Sequence, residues 1–102
     1  STYGELSYEL LEWALAEAGP HADDVICDLG SGGGRALLYL ALRSGCRAVG
    51  VELAPSRHRS AAALLDLAAP FLGPGQVVLH QGDMTDPGGP QKSATVVFLA
   101  NK

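Results

Sequence analysis

Three glycines at alternate positions, Gly30, Gly32 and Gly34, follow an apolar run that ends at Asp28. A helix-like segment, residues 36–44, comes next. A strand, a glycine turn and a helix in that order bring bare backbone N–H groups and the positive end of a helix to one point. The spacing therefore predicts a nucleotide-type cofactor site. The alternative is a tight turn in which glycine serves only for packing.

The residue at position 35 separates two classes of nucleotide cofactor. A dinucleotide fingerprint, G-x-G-x-x-G, needs glycine there, and this chain has Arg35. A diphosphate would also be repelled by the carboxylate of Asp28. S-adenosylmethionine has a cationic head and no phosphate, so the same carboxylate favours it. We therefore predict S-adenosylmethionine as the cofactor.

Two further carboxylates follow predicted strands. Glu52 lies 18 positions beyond Gly34, and doubly wound domains place a ribose-binding acid about 20 residues on. Asp83 ends the third predicted strand, where it can accept a hydrogen bond from the adenine amine, although Gly-Asp is also a common turn. Leu53 and Met84, the next residues, offer apolar contact to the adenine or pack in the core. These residues extend the predicted site.

Composition limits the class of protein. The 102 residues, 47% of them hydrophobic, suffice for one domain with one core. A net charge of −4 without a lysine or arginine run gives no electrostatic footprint for nucleic acid. No apolar stretch reaches about 18 residues, and no basic-then-apolar leader opens the chain. We therefore expect no membrane span and an intracellular location, cytoplasmic or nuclear.

The cysteines and histidines have no metal-binding spacing. Cys27 and Cys46 form neither a C-x-x-C pair nor a zinc pattern, which is typical of small buried thiols in a reduced compartment. His21, His58 and His80 share no ligand spacing with each other or with a cysteine. The sequence therefore predicts no bound metal.

Helical and strand patterns alternate along the chain, with Gly45 ending the second helix and Pro55 beginning the third. Leu38, Ala41 and Leu42 are expected to face inward from the second helix. The alternation predicts a parallel α/β sheet with right-handed crossovers. The predicted helices cover residues 8–18, 33–44 and 55–69, the strands 25–29, 47–52, 76–80 and 94–100, and a Gly/Pro loop covers 86–92.

The fourth predicted strand is apolar except for Thr95, and we expect it to be buried. A four-stranded parallel sheet that ends on a buried strand resembles the first half of a doubly wound domain. We therefore expect residues 1–102 to be one S-adenosylmethionine-binding domain, the N-terminal part of a larger doubly wound domain.

Together these motifs resemble the class I S-adenosylmethionine-dependent methyltransferases. Residues 28–34 match the first motif of that family, Glu52 its second-strand acid and Asp83 its third-strand acid. The resemblance implies a Rossmann-like fold with helices on both faces of a parallel sheet of strand order 3-2-1-4. Gly30, Ser31, Gly32 and Gly34 would belong to the cofactor loop, and residues 1–102 would be the N-terminal part of a larger methyltransferase domain.

Within that class the chain is most similar to the Dot1-like protein lysine methyltransferases. Tyr3-Gly4-Glu5 resembles their loop before the first helix, and the apolar fourth strand leads into Asn101 as theirs does. The resemblance implies that Glu5 contacts the cofactor and that Tyr3 and Asn101 border the channel of the methyl acceptor. The acceptor would be a protein lysine. The alternatives are a non-catalytic cofactor-binding module and an NAD-dependent oxidoreductase half-domain.

Overall fold

The computed structural model describes residues 8–30 and 33–99. Two short 3-10 helices, Ala69–Phe71 and Pro90–Ser93, accompany the main elements. No helix in these ranges is long and apolar enough to cross a membrane. In chain order the main elements are helix α1 (Tyr8–Ala18), strand β1 (Val25–Leu29), helix α2 (Arg35–Ser44), strand β2 (Arg47–Glu52), helix α3 (Pro55–Ala68), strand β3 (Val77–Gln81) and strand β4 (Val96–Leu99).

The four strands form a parallel sheet of order β3-β2-β1-β4. In its register Asp28 of β1 lies between Gly50 of β2 and Phe98 of β4. Parallel neighbours require a crossover connection, and α2 and α3 supply the first two. The predicted α/β class and the strand order 3-2-1-4 are confirmed, and the fold is Rossmann-like.

The main core lies between one face of the sheet and the α-helices. Ile26 and Ala48 of the sheet contact Leu37 and Leu40 of α2, and each of these side chains is at most 1% exposed. Leu11 of α1 belongs to the same cluster. This packing fixes α2 against β1 and β2, so the turn that precedes α2 is held at the end of β1.

The opposite face of the sheet has a second apolar cluster, formed by Cys27, Val49 and Val51. Ala94 packs against it, and the 3-10 helix Pro90–Ser93 lies against β2. The segment predicted as a Gly/Pro loop therefore covers this face. Helices lie on both faces of the sheet, as predicted, with the α-helices on one and a 3-10 turn on the other.

Two predictions of burial are wrong. Leu42 is 47% exposed, and Leu37 and Leu40 are buried instead. Residues 36, 37, 40 and 41 line one face of α2, and position 42 lies about 100° further round the helix. The fourth strand is not fully buried, because β4 is at the edge of the described sheet and Val97 is 53% exposed.

A polar cluster joins α1 to α2. Glu12 accepts hydrogen bonds from Tyr39 Oη at 2.5 Å, Arg43 Nε at 2.7 Å and Arg43 Nη2 at 2.9 Å. The ring of Tyr8 lies over Tyr39 with 4.8 Å between centroids. The hydrogen bond from Arg43, with a smaller effect from Tyr39, lowers the pKa of Glu12 from 4.5 to about 2.

This cluster predicts an acid-sensitive contribution to stability. The pKa of Glu12 is lower in the folded state, so the contribution is fully present above pH 4.5 and is lost as the pH falls toward 2. Glu12→Gln should therefore lower the Tm near pH 6. The difference in Tm between this variant and the parent protein should become smaller below about pH 3. Thermal unfolding, monitored by circular dichroism at several pH values, would measure the difference in Tm. Glu17→Gln, an exposed position on the same helix, is the control, and a Glu12→Gln deficit that does not change with pH contradicts the prediction.

Candidate cofactor-binding site

The carboxyl ends of β1, β2 and β3 meet at one edge of the sheet. The Gly30 N–H donates to the Val51 carbonyl at 2.8 Å, and the Gly82 N–H donates to the Glu52 carbonyl at 2.9 Å. These two bonds extend the ladders beyond the strands and hold the three predicted motifs side by side. Ligands of open α/β sheets bind in the crevice at this edge.

The glycines of the first turn have two different roles. Gly30 has φ +71°, and a Cβ built there would meet no heavy atom within 4 Å. Gly30 therefore satisfies the turn and leaves its backbone open to a ligand. Gly34 has φ +86° and is buried, and a Cβ there would lie 2.9 Å from the Cβ of Ala61. Gly34 therefore permits α2 and α3 to approach closely.

Glu52 is a buried carboxylate at the end of β2. It is 3% exposed, and its Oε2 accepts a hydrogen bond from the Ala54 N–H at 2.9 Å. Arg57, in the first turn of α3, places its Nε 3.3 Å from the same oxygen. A carboxylate held in this way can accept hydrogen bonds from a vicinal diol such as a ribose.

Asp28 is also 3% exposed and lies beside Gly50 of β2 in the sheet register. Burial, with a smaller effect from the charge of Asp28, raises the pKa of the neighbouring Cys27 thiol to about 11. Cys27 is fully buried and its raised pKa favours the neutral thiol, so it is not a candidate nucleophile.

Asp83 is exposed beyond β3 and is ordered by Thr85. Its Oδ1 accepts hydrogen bonds from the Thr85 N–H and from the Thr85 hydroxyl, both at 2.8 Å. The backbone bond, and then the hydroxyl bond, lower the pKa of Asp83, so it stays an ionised acceptor near neutral pH. Leu53 and Met84 are 67% and 49% exposed, so both present apolar surface to solvent, as an adenine contact requires.

Sequence reasoning missed three residues that order this edge: Arg57, Thr85 and Gln81. Gln81 donates from Nε2 to the Leu53 carbonyl at 3.2 Å and so fixes the connection between β2 and α3. The pattern Asp-x-Thr signals the turn at Thr85. Only the structure shows that Arg57 faces Glu52.

Five predicted site residues lie outside the described ranges: Tyr3, Glu5, Ser31, Gly32 and Asn101. Their roles stay predictions. Within residues 8–30 and 33–99, no group of three or more histidine, cysteine, aspartate or glutamate side chains could hold a metal ion.

Solved structures with the same fold include methyltransferases. An RNA methyltransferase from Salinibacter ruber, in complex with S-adenosylhomocysteine, is 31% identical with a TM-score of 0.76, over 93% of this chain and 59% of that one. A methyltransferase from Thiobacillus denitrificans with the same ligand is 25% identical with a TM-score of 0.72, and the match covers 95% of this chain and 38% of that one. Geranyl diphosphate C-methyltransferase from Streptomyces coelicolor is 19% identical with a TM-score of 0.75, and the match covers 90% of this chain and 34% of that one. This chain thus spans 59% or less of these three proteins.

The fold and the arrangement of its strand ends are those of the class I S-adenosylmethionine-dependent methyltransferases. The family model of the histone methylation protein DOT1 matches residues 1–73. The chain belongs to this family, which confirms the resemblance predicted from its motifs. A direct comparison with curated proteins found no match.

Proposed function

We propose that this chain binds S-adenosylmethionine at the carboxyl edge of β1, β2 and β3 and that it is the cofactor-binding part of a methyltransferase. The observation that carries the proposal is Glu52, a buried carboxylate at the end of β2 beside the open backbone of Gly30. Membership of the DOT1 family and two structural relatives crystallised with S-adenosylhomocysteine support it.

The charge and exposure of the described residues support this cofactor. Glu52 would accept the ribose hydroxyls, and Asp83 would accept the adenine amine. The space above Gly30 admits the part of the cofactor that crosses the glycine turn. Asp28 gives the turn a negative charge, which favours a sulfonium and an ammonium group over a diphosphate. Leu53 and Met84 would exclude water from the adenine.

The reactivity comes from the cofactor, since a bound sulfonium supplies an electrophilic methyl group to a nucleophile with a lone pair. The protein contributes alignment of donor and acceptor. A lysine acceptor must first lose its proton, and an apolar channel favours the neutral amine. By the family resemblance, Tyr3 and Asn101 would border that channel, and no strong general base is required.

We propose a protein lysine as the methyl acceptor, and the description of the DOT1 family supports this choice. The structural relatives named above include an RNA methyltransferase and a geranyl diphosphate methyltransferase, so the fold leaves the acceptor open. A net charge of −4 without a basic run disfavours RNA.

Calorimetric titration of the folded chain with S-adenosylhomocysteine, and with NADH as the control, tests the cofactor. We expect saturable binding of S-adenosylhomocysteine alone. NADH binding would instead favour an oxidoreductase half-domain, and binding of neither ligand to a folded sample would contradict the proposal. Transfer of label from methyl-tritiated cofactor to histones, with RNA in parallel, then tests the acceptor. Cofactor binding without any transfer would favour a non-catalytic module.

A further inference from the structure

We infer that Arg57 is a positioning residue that holds the Glu52 carboxylate in the orientation required for ribose, an inference that rests on the proposed function. Arg57 Nε lies 3.3 Å from Glu52 Oε2, and the Ala54 N–H donates to that same oxygen at 2.9 Å. A backbone hydrogen bond and an ion pair, from different positions on the chain, therefore converge on one oxygen of a buried side chain. That convergence restricts rotation of the carboxylate about its last torsion.

The position of Arg57 on its helix supports a specific role. Arg57 follows Pro55 in the first turn of α3, and that turn has no acidic residue. A cation in the first turn is opposed by the helix dipole, which favours negative charge there. Pairing with Glu52 offsets this opposition, because the carboxylate lies at the same helix end. The arginine is thus explained by its partner and not by helix stability.

The exposure of the two side chains shows how the pair would act. The side chain of Glu52 is 4% exposed, whereas that of Arg57 is 56% exposed. The guanidinium therefore reaches the carboxylate from the solvent side, at the rim of the crevice. A carboxylate offers about four lone-pair positions, so the ion pair and the backbone hydrogen bond are compatible with hydrogen bonds from a diol. Arg57 would order Glu52 before the ribose arrives.

The experiment compares Arg57→Gln with Arg59→Gln in calorimetric titrations with S-adenosylhomocysteine. Arg59 lies two positions further along α3, is exposed, and belongs to no ion pair in the part of the chain that the structure describes. We expect Arg57→Gln to weaken binding about tenfold, by analogy with the outer partners of metal ligands. Arg59→Gln should stay within about twofold of the parent protein, since lone surface charges have little effect. Arg57→Lys, which restores the charge but not the planar group, should lie between them.

A double-mutant cycle separates positioning from a general structural effect. In a Glu52→Gln background, Arg57→Gln should change the affinity by less than about twofold, because its partner is already altered. Ligand-observed NMR extends the measurement to the weaker variants. The inference would be overturned if Arg57→Gln bound S-adenosylhomocysteine as tightly as the parent protein. It would also be overturned if Arg57→Gln reduced the affinity by the same factor in the Glu52→Gln background as in the parent protein. The proposed function would stand in both cases. Absence of binding by the folded parent protein would overturn the proposed function, and the inference with it.

Discussion

Glu52→Gln is expected to weaken S-adenosylhomocysteine binding about 100-fold while the protein stays folded. The carboxylate would accept hydrogen bonds from the two ribose hydroxyls, and hydrogen bonds to a charged acceptor contribute about 1.5–3 kcal/mol each. Loss of about 2.7 kcal/mol corresponds to a 100-fold change in Kd. Glutamine keeps the size of the side chain and an oxygen that can accept from the Ala54 N–H, so the connection to α3 should persist. Calorimetry gives the affinity.

The control for this prediction is Glu17→Gln, the same chemical change at an exposed position on α1. Its affinity should equal that of the parent protein. The Tm of Glu52→Gln should fall by only a few degrees, which corresponds to a loss of about 1 kcal/mol in the free energy of unfolding for a domain of this size. If a folded Glu52→Gln protein binds S-adenosylhomocysteine as tightly as the parent, the ribose acceptor must be another group.

The site edge was predictable because its residues follow strands in a parallel sheet. Once the alternation of strands and helices is recognised, the carboxyl ends of neighbouring strands must lie at one edge. Gly30, Glu52 and Asp83 could therefore be placed together from spacing alone, and the backbone bonds from Gly30 and Gly82 bear this out. Position along the chain, however, says nothing about which side chains then meet.

The parts that sequence reasoning missed depend on contacts between distant residues. Gln76 shows this: its Nε2 donates to the carbonyls of Ala41 and Cys46, which lie 35 and 30 positions away. No local pattern reveals such a contact. The third strand was predicted over residues 76–80, and the structure places it at Val77–Gln81. The role of Arg57 was missed for the same reason, because a half-exposed arginine fits a solvated helix face equally well.

The interpretation of Gly34 shows how one residue type can serve two purposes. Its spacing fits a cofactor loop, but the packing alternative describes its surroundings better. Gly34 precedes α2 with φ +86°, and the Cα of Ala61 lies 3.2 Å from the position of a Cβ there. Glycine is required at this position by backbone conformation and by the approach of α3 together.

Gly34→Ala is accordingly expected to destabilise the fold by about 2–5 kcal/mol. A left-handed conformation costs an alanine about 1–2 kcal/mol, and forcing a methyl group against a packed helix costs about 1–3 kcal/mol more. Such a change is a large fraction of the total stability of a small domain, and the Tm should fall by at least about 10 °C. Thermal and urea unfolding would measure it.

Gly45→Ala is the matched control for the steric part of this effect, since Gly45 has φ +73° and a Cβ there would meet nothing within 4 Å. It should lose only the conformational term, about 1–2 kcal/mol. Gly34→Ala should also couple to Ala61→Gly, because removing the methyl group of Ala61 removes the 2.9 Å contact. The double variant should therefore be more stable than the sum of the two single changes predicts. Equal stability of the Gly34→Ala and Gly45→Ala proteins, with no coupling to Ala61, would show that conformation alone requires glycine at this turn.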